Sequence, residues 1–170
     1  MDKHAFITGA TSGIGMATAK RLAHEGYRLV LCGRRIERLM QLEQELQIQT
    51  NVQTLCFDVR DKDAVEKAID SIPVEFSSID VLINNAGNAH GLDPIHTGNL
   101  DDWDAMIDIN VKGLLYVSKA IIPKMIEQKS GHIINIGSTA SLRGFERGGI
   151  YAASKFALRA MTESWQHELR

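Results

Sequence analysis

Proline and cysteine are scarce in this chain of 170 residues, with three of the first and two of the second. So few cysteines exclude a disulfide-stapled secreted scaffold and a thiolate metal site. Cys32 and Cys56 each lie inside an apolar run, where free thiols are usually buried. No apolar run approaches the roughly 20 residues of a membrane span, and Met1 to Ala10 lacks the apolar stretch of a signal peptide. A dominant charge is also lacking, since 19 Lys+Arg face 21 Asp+Glu for a formal net charge of -2. That balance gives no basic field for nucleic acid and no polybasic patch for a membrane. The six histidines show no metal-like spacing, so no metal is expected. What remains is a soluble, reduced, cytoplasmic protein, long enough to bury roughly 70% of its unfolded surface.

One rhythm runs from end to end. Short β-branched apolar runs alternate with longer amphipathic stretches, the pattern of a parallel sheet with crossover helices. The expected strands are His4–Thr8, Arg28–Cys32, Val52–Phe57, Asp80–Ile83 and His132–Gly137. The expected helices are Gly13–Glu25, Ile36–Ile48, Lys62–Ile72 and Asn99–Gln128, and a last one starts near Gly149 and still runs at Arg170. Of the prolines only Pro123 falls inside a predicted helix, where it would kink the chain. No repeat or linker interrupts residues 1–170, which read as a single domain of α/β class built on a parallel sheet.

Four places carry chemistry. After the first strand, Thr8-Gly9-Ala10-Thr11-Ser12-Gly13-Ile14-Gly15 runs straight into a helix. Glycines let a backbone approach a pyrophosphate closely, and a helix N-terminus offers unpaired N–H groups with partial positive charge. The spacing is neither the commonest dinucleotide fingerprint nor a P-loop. Asn84-Asn85-Ala86-Gly87 follows the fourth strand, at the carboxyl end where open parallel sheets bind ligands. These amides either tie neighbouring strand ends together or meet a ribose. On the long helix, Trp103, Ile107, Asn110, Val111, Leu114, Ser118, Ile121 and Met125 define an inward face that contains an amide. Asn110 there is either a satisfied core residue or the holder of a water near a reaction centre. Finally, Tyr151 and Lys155 are four apart on one helical face. A phenol is a poor base at neutral pH, but a neighbouring ammonium favours its phenolate, and such a pair can exchange a proton with an alcohol oxygen. Ser138 ends the fifth strand and shares that rim.

Together, Thr8-Gly9 through Gly15, Asn84–Gly87, Asn110, Ser138 and Tyr151–Lys155 resemble the short-chain dehydrogenase/reductase family in order and spacing, over essentially the whole chain. The resemblance implies a Rossmann-type fold with a nicotinamide cofactor at Gly9, Ser12, Gly13, Ile14 and Gly15. It implies Tyr151 as general acid/base and Lys155 as the group that assists it and binds the nicotinamide ribose. Ser138 would hold the substrate oxygen and Asn110 a relay water. Asp58 and Val59 would border the adenine, beside Asn85, Ala86 and Gly87. Ile79–Gly87, Ala89-x-Gly91, Trp103–Asn110 and Ile133–Ser138 look like the NADP-dependent serine/3-hydroxy acid dehydrogenases of that family. Leu142–Gly149 departs from that branch, and its Arg143 and Arg147 are candidates to meet a substrate carboxylate.

The second strand ends Leu31-Cys32-Gly33-Arg34-Arg35, where an NAD-binding unit would carry a carboxylate. A 2′-phosphate suits guanidinium groups instead, with Arg34 as direct clamp, Arg35 beside it and Ser12 adding a hydroxyl. Both arginines stand at the wrong end of the next helix for its dipole, which a bound anion would correct. NADP is therefore the expected cofactor. Three functions follow: hydride transfer with a small β-hydroxy acid, the same chemistry on a carbonyl or 3-oxoacyl substrate, or a non-catalytic nucleotide sensor. A doubly wound fold usually completes six strands. Five are read here, leaving the fifth as an unpaired edge, so the chain is expected to be C-terminally truncated and, at full length, a homodimer or homotetramer.

Overall fold

The computed structural model describes residues 3–170. Five parallel strands, β1 (His4–Ile7), β2 (Arg28–Gly33), β3 (Val52–Cys56), β4 (Val81–Asn84) and β5 (His132–Asn135), lie in the order β3-β2-β1-β4-β5. Helices α1 (Gly13–His24), α2 (Ile36–Leu46) and α3 (Lys62–Asp70) follow the first three strands. α4 (Leu100–Ile107) and α5 (Leu114–Gln128) join β4 to β5, and α6 (Gly149–Glu168) closes the chain. This is the expected α/β Rossmann-type architecture.

Strand alternation makes two cores. Phe6, Val30, Leu55 and Leu82 face one side, packed with Val65 and Ile69 of α3 and Val117 and Ile121 of α5. Ala5, Ile7, Leu29, Leu31 and Ile83 face the other, against Ala19 and Ala23 of α1 and Leu39, Leu42 and Leu46 of α2. Strands covered on both faces need apolar residues at successive positions, which is why β1 and β2 read as continuous runs. The strand order reverses at β1, between β2 and β4. That is the switch point beside which such folds bind ligands.

Four expectations need correction. The helix Asn99–Gln128 is broken by a π-helical turn at Asp108–Gly113, whereas α5 continues through Pro123. The last helix ends at Glu168 rather than running through Arg170. Asn84, read as a loop residue, is the last residue of β4, in register with Asn135. Cys32 is buried, but Cys56 is exposed. Val52, Thr54 and Cys56 share one face of an outer strand, and burial falls from the first to the last. The expected edge is present. β5 is the last strand of the sheet, and Ile134 is 37% exposed on it. Among the described residues no helix is long and apolar enough to cross a membrane.

Candidate active site

The switch point is stitched by one buried hydroxyl. Thr8 Oγ1 accepts hydrogen bonds of 3.0 Å from the backbone N–H groups of both Asn85 and Ala86. In return, Asn85 Nδ2 donates to the carbonyls of Thr8 (2.9 Å) and Gly9 (3.1 Å). The ends of β1 and β4 are thereby held at a fixed separation. Gly9 has φ +65°, and a Cβ there would meet Ala86 Cα at 2.9 Å, so no side chain fits. Gly13 opens α1 at φ +54° with open space where a Cβ would stand. The turn thus leaves a bare helix N-terminus facing outward.

In front of it lies a cleft of about 730 Å³. It runs from Arg34, Arg35 and Asp58 past the glycine turn to Tyr151 and Lys155. Gly9, Ser12, Gly13, Ile14, Val59, Asn85, Ala86 and Gly87 also line it. Thirteen sequence-predicted positions therefore meet in one groove, whose volume falls in the range of small-molecule sites. Gly15 is buried behind it.

At the arginine end, Arg35 Nη2 donates to Thr11 Oγ1 at 2.7 Å and to Ser12 Oγ at 2.9 Å. Its guanidinium thus lies across the start of α1 while Arg35 itself caps α2. One cation stands at two helix N-termini, bonded to hydroxyls, and α1 has no acid in its first turn. Such a placement opposes the helix dipoles, offset at α2 by Glu37 in its first turn and at α1 by no acid. Arg34 instead reaches Asp58 Oδ2 at 3.4 Å, so Arg35, not Arg34, is the residue against Ser12. Burial alone would raise the Asp58 carboxyl. Hydrogen bonds from Arg60 and the charges of Arg60 and Arg34 outweigh it and hold the group below its ordinary range.

At the other end, Lys155 is buried, and its Nζ donates to the Ile136 carbonyl at 2.9 Å, 6.0 Å from the centre of the Tyr151 ring. Burial lowers the pKa of that ammonium. Phe145 meets Tyr151 edge-on, with ring centres 6.4 Å apart. Ser138 Oγ accepts from Ala140 N at 3.1 Å, capping a short 3-10 turn, and keeps its own proton to donate. Asn110 lies inside the π-helical turn, buried behind the cleft. Its Oδ1 accepts from Asn88 N at 2.8 Å, and its Nδ2 donates to Asn88 O at 2.9 Å and Ser154 Oγ at 3.0 Å. Arg143 is exposed. Arg147, at φ 64°, pairs with Asp93 at 3.6 Å, and neither arginine lines the cleft.

Sequence reasoning missed Thr8 as the tie between strands, Ser154 as the partner of Asn110, and Arg60 beside Asp58. Only Thr8 carried a readable signal: a lone hydroxyl directly after the apolar run Ala5-Phe6-Ile7.

A doubly wound sheet, a glycine turn at its switch point and a Tyr–Lys pair thus meet on one groove. The sequence model of the short chain dehydrogenase family matches residues 3–170, and the chain belongs to that family. It is 44% identical over 163 residues to an NADP-dependent 3-hydroxy acid dehydrogenase of Salmonella typhi, covering 96% of this chain and 65% of that protein. It is 42% identical over 171 residues to sulfoacetaldehyde reductase 2 of Chromohalobacter salexigens, covering 100% and 68%. The closed form of a serine dehydrogenase complexed with NADP+ superposes with a TM-score of 0.93 at 40% identity, covering 98% and 66%. The chain thus spans slightly less than two thirds of the Salmonella protein's length.

Proposed function

We propose that this protein is an NADP-dependent oxidoreductase that interconverts a small β-hydroxy acid, such as serine or 3-hydroxypropionate, and its oxo form. The observation that carries the reading is the continuous groove joining an arginine-rich end, a glycine turn and the Tyr151–Lys155 pair. The residues fit the cofactor. Gly13 leaves the α1 N-terminus bare for a pyrophosphate, and Arg35 with Arg34 supplies cations for a 2′-phosphate where an NAD site would carry an acid. Names of similar proteins support the same choice, one being NADP-dependent and another complexed with NADP+.

When bound, the nicotinamide supplies the hydride acceptor for the substrate carbon. The chain's own groups handle the proton and the orientation. Ser138 donates its free hydroxyl proton to the substrate oxygen and holds it toward Tyr151. The Tyr151 oxygen takes the alcohol proton as the C–H bond is lost, and returns it in the reductive direction. Lys155, fixed by the Ile136 carbonyl with its Nζ 6.0 Å from the centre of the Tyr151 ring, assists that residue as a nearby cation and also serves the nicotinamide ribose. Asn110, locked to Asn88 and Ser154, holds the Asn85–Asn88 loop against the start of α6. Arg143 and Arg147 are the reserve of cations for a substrate anion, with Arg147 released from Asp93 to reach it. The same reading makes the protein cytoplasmic, in keeping with two unpaired cysteines, and homo-oligomeric.

The test is NADPH formation by the full protein with serine, 3-hydroxypropionate, simple alcohols and, in reverse, small ketones and sulfoacetaldehyde. Turnover confined to the β-hydroxy acids is expected. Preference for a carbonyl or acyl compound would transfer the protein to another branch of the family. Tight NADPH binding with no turnover across the panel would make it a nucleotide sensor.

A further inference from the structure

Two arginines share the Asp58 carboxylate, and they share it unequally. Arg60 Nε lies 3.1 Å from Oδ1 and 3.0 Å from Oδ2, its Nη2 lies 2.7 Å from Oδ2, and its backbone N–H donates to Oδ1 at 3.0 Å. Arg34 has one contact, Nη1 to Oδ2 at 3.4 Å, near the limit of a hydrogen bond, and its side chain is 57% exposed. A carboxylate offers about four lone-pair sites, and Arg60 engages both oxygens as a fork held two residues away in the chain. Arg34 is left as a loose second partner, lining the cleft beside Ser12 and Arg35. Asp58 is the acid that lines this end of the groove, so its charge bears on any anion placed there.

We propose that Arg60 is a specificity-determining residue that acts through Asp58: by saturating that carboxylate it frees Arg34 for the cofactor's 2′-phosphate and masks a charge that would repel it. The inference rests on the NADP reading above and extends it to a residue outside the groove's lining. With Arg60 gone, Asp58 has one guanidinium left to pair with. Arg34 would close on it from 3.4 Å to a short charge-assisted bond, and turning Arg34 toward a phosphate would then break that bond. NADH, which has a hydroxyl in place of the phosphate, would register neither effect.

The experiment is calorimetric titration of the full protein with NADPH and with NADH. Arg60→Ala is expected to weaken NADPH about five- to twentyfold, since the pair is partly exposed, and to leave NADH within about twofold. Arg60→Lys, which keeps the charge without the fork, should recover part of the loss. In an Asp58→Asn background, adding Arg60→Ala should change the NADPH-to-NADH ratio no further. A loss that persists in that background would mean Arg60 touches the phosphate directly and would overturn the proposal. So would an Arg60→Ala protein with an unchanged ratio while the unmodified protein prefers NADPH. An unmodified protein that binds NADPH and NADH equally would overturn the cofactor reading and take this inference with it.

Discussion

Two regions bordering the groove, the glycine turn in its middle and the Ser138–Gly149 loop beside its Tyr151 end, are built in opposite ways. Around the glycine turn the polar groups are spent on one another: Thr8, Asn85 and the backbone of Gly9 and Ala86 form a half-buried mutual lattice. Around the Ser138–Gly149 loop the contacts are exposed. Arg147 and Asp93 form a 3.6 Å ion pair with side chains 58% and 41% exposed, and Phe145 rests on Tyr151 while remaining 46% exposed. Surface pairs of that kind contribute about 0–1 kcal/mol. The first region has one shape and suits a ligand that does not vary. The second can reorganise at little cost, and suits the part of a site where substrates differ.

Tyr151→Phe sharpens this contrast with the largest effect. It removes the hydroxyl proposed above to transfer the proton, in the adaptable region, and touches nothing at the glycine turn. Turnover should fall about 10²–10⁴-fold while NADPH affinity, measured by titration, stays within about threefold. A parallel collapse of cofactor affinity would show that the two regions are not separable.

Thr8→Val attacks the rigid region. The shape is kept, but the N–H groups of Asn85 and Ala86 lose their acceptor. Leaving buried donors unpaired costs about 1–3 kcal/mol each, and both are only partly buried, so a loss of about 2–4 kcal/mol in urea unfolding is expected. NADPH affinity should fall with it, because the loop that flanks the cofactor loosens. A stability within about 0.5 kcal/mol of the unmodified protein would refute the lattice.

Much of the rigid region was legible in the sequence because its signals are local. Glycines at Gly9 and Gly13, a helix beginning directly after them, and apolar runs in β1 and β2 are properties of neighbouring residues. Tyr151 and Lys155 were legible for the same reason, being one helical turn apart. The π-helical turn at Asp108–Gly113 was not, since one extra residue in a helical turn leaves apolar periodicity almost intact. Nor were the partners of Arg34 and Arg35. Those bonds span 24 and 23 residues and depend on where two strand ends come to lie. The exposure of Cys56 likewise depends on how far the neighbouring helices cover an outer strand, which its apolar surroundings could not reveal.

The smallest effect concerns Lys155, whose ammonium has been taken out of water by burial. Its folded pKa is below the ordinary 10.5, so between the two values the unfolded chain binds more protons and stability rises with pH. The penalty is complete below the folded pKa and vanishes above 10.5. Lys155→Met should remove that slope from unfolding curves taken on the alkaline side, and cost activity in exchange. An identical slope in the variant would assign it to another group.

The proposed reading of a 2′-phosphate by Arg34 and Arg35 is tested most directly by one ratio. The full enzyme's kcat/KM for NADP+ should exceed that for NAD+ by at least about tenfold with the same β-hydroxy acid, the worth of one charge-assisted hydrogen bond. Equal values for the two cofactors would contradict it.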